Sequence, residues 1–373
     1  MSTAMSKLRV GVVGVGHLGR HHARILAAHP EVELVAVADA RLEQARAVAE
    51  SCGTRAVDDY RALLDCVDAV SIAAPTVVHH EVATAFLDRG IAAMVEKPLA
   101  ARIDEAEEIV ELARRRGVVL QVGHIERFNP VLAALDAFPI RPRFINAERL
   151  STHTFRSTDI GIVHDLMIHD LDLVLSMFSA PVRTVSAVGV AVFGGFEDVA
   201  EARLEFEDGA VATLAASRAS FQASRKMRIW GADGYVALDF AAKRATIVRP
   251  SARLRAGHLD LEGVSLAQPA EVKAHLFGKV LETESFQGDG PEPLALELDE
   301  FVQSVLGRAT PRVDGDAALR ALLVADRIVR GLRSHVWSKS GETVPPPPHI
   351  GTARAAARAA RSALERDDSV TRD

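Results

Sequence analysis

The sequence predicts an α/β fold in two parts: an N-terminal doubly wound parallel sheet of the Rossmann kind, then an α+β domain with an open, mostly antiparallel sheet. Three observations lead there. Aliphatic runs alternate with helix-length amphipathic stretches up to about residue 125, which is the βαβ rhythm of a parallel sheet. β-branched runs separated by glycine turns follow residue 180, as antiparallel hairpins require. The chain of 373 residues is long enough for two sizeable cores.

In order, the first strands are "LRVGVVG", "VELVAVAD", "DAVSIAAP", "IAAMVEKP" and "VVLQVGH". The stretches between them read as helices. "DEAEEIVELARRRG", from Asp104 to Gly117, opens acidic and closes on arginines and a glycine, as the helix dipole and a left-handed C-cap favour. Residues 1–125 are thus expected to form a dinucleotide-binding domain. Residues 126–335 are expected to form a domain for substrate and oligomerisation, with a helix at 160–178, strands between 181 and 250, an irregular polar stretch at 250–292 and two closing helices. Residues 336–373, with "PPPP" and "ARAAARAARSALER", read as a solvated tail without aromatic anchors.

A formal net charge of −6 gives no sign of a nucleic-acid surface, so a small-molecule partner is favoured. Cys52 and Cys66 form no metal spacing or disulfide framework, which fits a reducing compartment. No apolar run reaches a membrane span, and no signal-peptide core precedes the first strand. A cytoplasmic enzyme that does not engage membranes is expected.

The stretch "GVVGVGHLGRHHARIL" carries Gly14-x-Gly16-x-x-Gly19 between a strand and a helix. That context makes it a phosphate cradle: Gly14 permits the tight turn, Gly16 lets the pyrophosphate approach backbone, and Gly19 allows close helix packing. His17 and Leu18 lie in the same loop, where the helix N-terminus offers N–H donors. Asp39, at the end of the second run, is positioned to accept from the adenosine ribose hydroxyls and to repel a 2′-phosphate. NAD is therefore expected over NADP, although Arg41 weakens that preference.

Ligands of such sheets sit at the carboxyl ends of the strands. Pro75, His79, Glu96, Lys97 and Pro98 end the fourth and fifth runs and are expected around the nicotinamide crevice. Lys97 stands out because the chain has 7 lysines among its 44 Lys and Arg residues, and none other lies between Lys7 and Lys226. A chain so biased to arginine keeps lysine where a compact ammonium of adjustable acidity is needed. In "GIVHDLMIHDLDLVLSMF", Asp165 and His169 are four apart and share a face of an ideal helix, with Asp172 one turn further. A carboxylate beside an imidazole suits general acid/base work. A metal set of His164, Asp165, His169 and Asp170 is the weaker alternative, because soft ligands and an HExxH-like base are missing.

The glycine-rich turn, "EKP", "VGHIERFNP" and the Asp-x-x-x-His helix together resemble the glucose-fructose oxidoreductase, inositol dehydrogenase and rhizopine-catabolism family over residues 8 to about 335. The resemblance implies NAD(P) as cofactor, a sugar or cyclitol as substrate, and Lys97, Asp165 and His169 at the catalytic positions. Val163, His164 and Met167 replace glycines common in that helix motif. With "ERFNP" and "HDLMIHDLDLVLS", this pattern is similar to bacterial UDP-N-acetylglucosamine 3-dehydrogenases, which supply a 3-keto sugar nucleotide to an aminotransferase, in some bacteria for 3-amino lipid A sugars. An inositol or free-sugar dehydrogenase and a non-catalytic NAD(P)-sensing regulator are the alternatives. On this reading His169, oriented by Asp165, is the base and Lys97 the clamp on the reacting oxygen, with the reverse assignment equally compatible. His124, Arg127 and Asn129 are expected to contact substrate, a diphosphate in particular. A homo-oligomer is expected, because a single helix layer leaves one face of the sheet at 181–249 uncovered.

Overall fold

The computed structural model describes residues 7–152, 160–193, 196–259 and 267–335. The tail at 336–373 lies outside the described residues. The N-terminal half is built from β1 (Leu8–Val13), α1 (Gly19–Ala28), β2 (Val32–Ala38), α2 (Leu42–Cys52), β3 (Arg55–Val57), β4 (Ala69–Ile72), α3 (His79–Leu87), β5 (Ala92–Glu96), α4 (Ile103–Arg116) and β6 (Leu120–Gly123). The six strands pair in parallel in the order β3-β2-β1-β4-β5-β6. The order reverses between β1 and β4, and that switch point opens the ligand crevice at the carboxyl ends. β5 is buried on both faces, which explains its unbroken "AAMV" run.

The second half contains α5 (Ala133–Ala137), β7 (Phe144–Leu150), a π-turn at Val163–Met167, α6 (Ile168–Met177), β8 (Val182–Val190), β9 (Val199–Phe206), β10 (Val211–Ser217), β11 (Ser224–Gly231), β12 (Gly234–Asp239), β13 (Arg244–Pro250), α7 (Ala252–Arg255), α8 (Pro269–His275), β14 (Leu281–Gln287), α9 (Pro293–Val305) and α10 (Gly315–Ser334). Its eight strands run β14-β13-β12-β11-β7-β10-β9-β8, with β7 and β10 parallel and the other pairs antiparallel. One face buries Ile145, Leu204, Leu214, Met227 and Ile229 against α6 and α10. The other leaves alternate residues half-exposed, among them the stacked rings of Phe144, Trp230 and Tyr235.

Two features depart from expectation. The stretch at 250–292 is not irregular throughout, because it holds β14, an edge strand on β13. The closing helices do not pack on the second sheet alone: Leu298, Phe301 and Val302 of α9 pack into the core beneath β1, and α10, while covering the second sheet, also contributes Ala318 and Leu322 to the core on the other face of the parallel sheet. These helices tie the two halves into one frame around the crevice. Among the described residues, no helix is long and apolar enough to cross a membrane.

Candidate active site

The glycine loop joins β1 to α1, and each glycine answers a different constraint. Gly14 sits at φ +82°, and a Cβ there would lie 2.5 Å from the Ala74 amide nitrogen. A Cβ on Gly19 would lie 1.8 Å from the Gly14 carbonyl oxygen, so helix and strand approach only through glycine. At Gly16 a Cβ would meet nothing nearer than Gln44 Nε2 at 3.8 Å. No protein contact requires that glycine, and open room beside a helix N-terminus is what a pyrophosphate needs. The residues present therefore fit a dinucleotide. His17 and Leu18 are exposed on the same loop, and Pro75 is exposed after β4.

Asp39 follows β2 and already serves the fold. Its Oδ2 accepts from Val15 N at 3.0 Å and Gln44 Nε2 at 2.9 Å, and its Oδ1 accepts from Arg41 N at 2.9 Å. The carboxylate thereby fixes the glycine loop. The Arg41 guanidinium reaches 3.9 Å from Oδ1 and is otherwise in solvent.

Lys97 follows β5 and points across the crevice into the second half. Its Nζ donates to the Asp165 backbone carbonyl at 2.7 Å and lies 3.6 Å from Asp165 Oδ1. His169, half-buried on α6, faces the ring of His124 edge-on at 6.2 Å. Burial, then the charge of Lys97 and after it those of Arg149, His124 and Arg225, hold His169 well below the usual histidine range. Burial likewise lowers His124. Lys97, His124, Asp165 and His169 thus meet from the ends of β5 and β6 and the start of α6.

Asp165 does not orient His169. The π-turn at Val163–Met167 widens the helix, so a four-residue spacing across it no longer marks one face. Asp165 turns to Lys97, and His169 Nδ1 has no protein partner. The turn is anchored by Glu197, whose Oε1 accepts from Val163 N at 3.3 Å and whose carboxyl crowds Gly161 so closely that a Cβ would lie 2.1 Å away. His164 is buried, which lowers it to about 4, with the charges of Asp326, Lys97 and Arg333 acting after burial. Among the described residues no group of three or more His, Cys, Asp and Glu could hold a metal ion.

Several expected crevice or substrate residues are committed internally. His79 is buried, with Nδ1 3.0 Å from the Pro98 carbonyl and Nε2 2.8 Å from that of Ala74, so it joins two loops under the crevice. Glu96 turns inward to His22, Oε1 to Nε2 at 3.1 Å, and its Oε2 accepts from Lys97 N at 3.2 Å. Burial opposes its charge, but His22 and Lys97 hold the carboxyl below its usual range. Arg127 Nε lies 2.8 Å from Asp172 Oδ2, and its Nη2 donates to the Arg312 carbonyl. Asn129 donates to Glu126 and to the Phe240 carbonyl, and accepts from Val131 N. Arg127 and Asn129 are therefore not free to grip a diphosphate.

Sequence reasoning also missed residues that carry the site from below. Arg149 of β7 donates twice to Asp170, both at 2.9 Å, and once to Glu126 at 2.8 Å, pinning α6 to the sheet. Glu297 of α9 is fully buried beneath Lys97's strand, beside Gln121, which donates to its backbone carbonyl at 2.8 Å. Burial and then the neighbouring Glu96 push the Glu297 carboxyl well above its usual range. No motif announces a lone strand arginine or a helix glutamate. His22, though, stands in the opening glycine stretch itself.

A glycine cradle at the carboxyl edge of a parallel sheet, with a lysine and two histidines converging on the crevice beside it, defines a nicotinamide-dependent oxidoreductase. Residues 8–124 match the model of an oxidoreductase family with NAD-binding Rossmann fold, and residues 141–237 match the GFO/IDH/MocA C-terminal domain. The chain belongs to the Gfo/Idh/MocA family and is an enzyme of its NAD-binding class. It is 36% identical over 324 residues to the UDP-N-acetylglucosamine 3-dehydrogenase of Acidithiobacillus ferrooxidans, covering 86% of this chain and 96% of that one. A solved structure of that enzyme superposes with a TM-score of 0.78 at 35% identity, over 88% of this chain and 98% of the other. The scyllo-inositol 2-dehydrogenase (NAD(+)) of Bacillus subtilis is 29% identical over 84% of this chain and 91% of its own length.

Proposed function

We propose that the protein oxidises the C3 hydroxyl of UDP-N-acetylglucosamine to a 3-keto sugar nucleotide, with NAD preferred over NADP. The observation that carries this reading is the similarity to the Acidithiobacillus dehydrogenase along 96% of that enzyme's length, joined to a crevice equipped for a secondary alcohol. Bound NAD supplies the hydride acceptor. The chain's own groups manage the proton and the charge left on oxygen. Lys97 places an ammonium where the alkoxide-like oxygen forms, the electrostatic role. His169, neutral at pH 7 because burial and nearby cations lower it, has a lone pair to accept the hydroxyl proton. Asp165 serves by holding Lys97 in place rather than by tuning His169. The product is a ketone suited to a glutamate-dependent aminotransferase, and the reading extends to 3-amino lipid A sugars made in the cytoplasm. The half-exposed aromatic face of the second sheet supports a homo-oligomer built through it.

Ketone formation with NAD is uphill near neutral pH, so the test couples the protein to a 3-aminotransferase with glutamate and follows the amino sugar nucleotide by mass spectrometry. The wild-type protein is expected to give that product. Lys97→Met is expected to lower turnover at least about a hundredfold with NAD affinity retained, since the lost interaction acts in the transition state. No amino sugar nucleotide alongside robust NADH formation from myo-inositol would reject the substrate. Near-wild-type turnover of Lys97→Met would remove the lysine from the mechanism.

A further inference from the structure

Arginines surround the crevice, and most are spent on the protein. Arg149 is held by Asp170 and Glu126, and Arg127 by Asp172. Arg218 donates to Asp198 Oδ1 at 2.7 Å and to the Ile160 carbonyl at 3.0 Å. Arg225, at the start of β11, is different. It pairs with Arg149 across the β7–β11 ladder, so both side chains stand on the helix-covered face. Met227 and Ile229, two and four residues on, are fully buried on that face and fix its direction. Yet the Arg225 side chain is 56% exposed, and its contact with Glu126 Oε1 is long, at 3.7 Å. That oxygen already accepts from Arg149 at 2.8 Å. The charge of Arg225 reaches His169. Four residues earlier, on the loop leading into the same strand, Phe221 is 95% exposed.

We propose that Arg225 and Phe221 form the nucleotide end of the substrate site, Arg225 holding the diphosphate of a nucleoside-diphosphate sugar and Phe221 offering its ring to the base. This rests on the sugar-nucleotide reading given above and replaces Arg127 and Asn129 in that role. A guanidinium presents five donors in a planar fork that matches phosphate oxygens two at a time. Releasing it from Glu126 costs little, because Arg149 keeps that carboxylate paired. An exposed phenyl ring stacks on a base without demanding a particular hydrogen-bond pattern. Two phosphate charges beside Arg225 also offset one of the cations that oppose protonation of His169. Substrate binding then eases proton acceptance at the base it must use.

The probe is UDP, titrated calorimetrically into the NADH-loaded protein, with inorganic pyrophosphate as a second probe. Arg225→Met is expected to weaken UDP at least about tenfold, the loss typical of charge-assisted hydrogen bonds, with Arg225→Lys between. Phe221→Ser should weaken UDP and leave pyrophosphate unchanged. Unaltered NADH affinity shows that the variants are folded. If wild type and Arg225→Met bind UDP equally, the subsite is wrong and the substrate reading stands. If the wild type binds neither UDP nor UDP-N-acetylglucosamine and oxidises a free sugar, both are overturned.

Discussion

Two buried polar seams run beneath the crevice, one on each side, and they treat charge in opposite ways. On the second-domain side, Arg149 meets Asp170 and Glu126, and Asn129 completes Glu126. Every carboxylate there has a donor. On the Rossmann side, Ser71 bonds His22 at 2.8 Å and His22 pairs with Glu96, but both side-chain oxygens of Glu297 and Oε1 of Gln121 lack a protein partner. The first seam balances its charges by cation and anion. The second leaves a carboxyl without a donor, where burial and the neighbouring Glu96 favour its protonated form. A paired seam is rigid and indifferent to pH near neutrality, whereas a protonated one is not.

The largest effect is expected from breaking the paired seam. Arg149→Met leaves Asp170 and Glu126 buried without their cation, the arrangement that typically costs about 3–5 kcal/mol. Urea denaturation at pH 7 checks it. A loss below about 1 kcal/mol would mean that water or Arg225 replaces the missing partner and that the seam does not lock α6 to the sheet.

The protonated seam should respond to pH instead. The folded value of Glu297 is raised above its unfolded one, so its contribution is present below the ordinary carboxyl range and is lost as pH rises through the folded value. His164, lowered to about 4, has the opposite sign: its contribution is present above the ordinary histidine value and is lost as pH falls. Above about pH 6.5 the histidine effect is complete, and comparison with Glu297→Gln separates Glu297 from Glu197, whose carboxyl burial also raises. As pH rises from about 6.5 the wild type should lose stability relative to Glu297→Gln, at no more than about 1.4 kcal/mol per pH unit. Parallel stability curves for the two proteins above that pH would show that Glu297 does not titrate there.

The contrast between the seams also explains what was legible in the sequence. The glycine loop, the "EKP" strand end and the βαβ order are local patterns, fixed by backbone geometry within a few residues. Lys97 was therefore found. The partners of Arg127 and Arg149 lie on other elements, and charge complementarity at long range leaves no spacing to read; Asn129 is held largely by its neighbours Glu126 and Val131, a local cap before Pro130. The shared face of Asp165 and His169 was inferred from an ideal helix and undone by the π-turn, which Glu197, 32 residues beyond Asp165, anchors. β7 was missed because "FINAERL" mixes inward hydrophobes with the inward Arg149. β14 was missed because "LETESFQ" lies at the sheet edge and is mostly exposed.

Asp39 belongs to neither seam and sharpens the comparison, because it must satisfy the protein and leave room for a ligand. Three donors already reach it, from Val15, Arg41 and Gln44. An ionised carboxylate has roughly four acceptor sites, which leaves capacity for a ribose hydroxyl. Asp39→Asn keeps one acceptor oxygen and removes the charge. NAD is expected to weaken about tenfold, while NADP is unchanged or tightens, since the repulsion of a 2′-phosphate disappears and Arg41 remains at hand. Equilibrium titration of both dinucleotides against both proteins measures the change. A wild-type protein that binds NADP more tightly than NAD would mean that the exposed Arg41 guanidinium outweighs the carboxylate beside it. An equal loss for both cofactors would mean that Asp39 acts only by shaping the glycine loop.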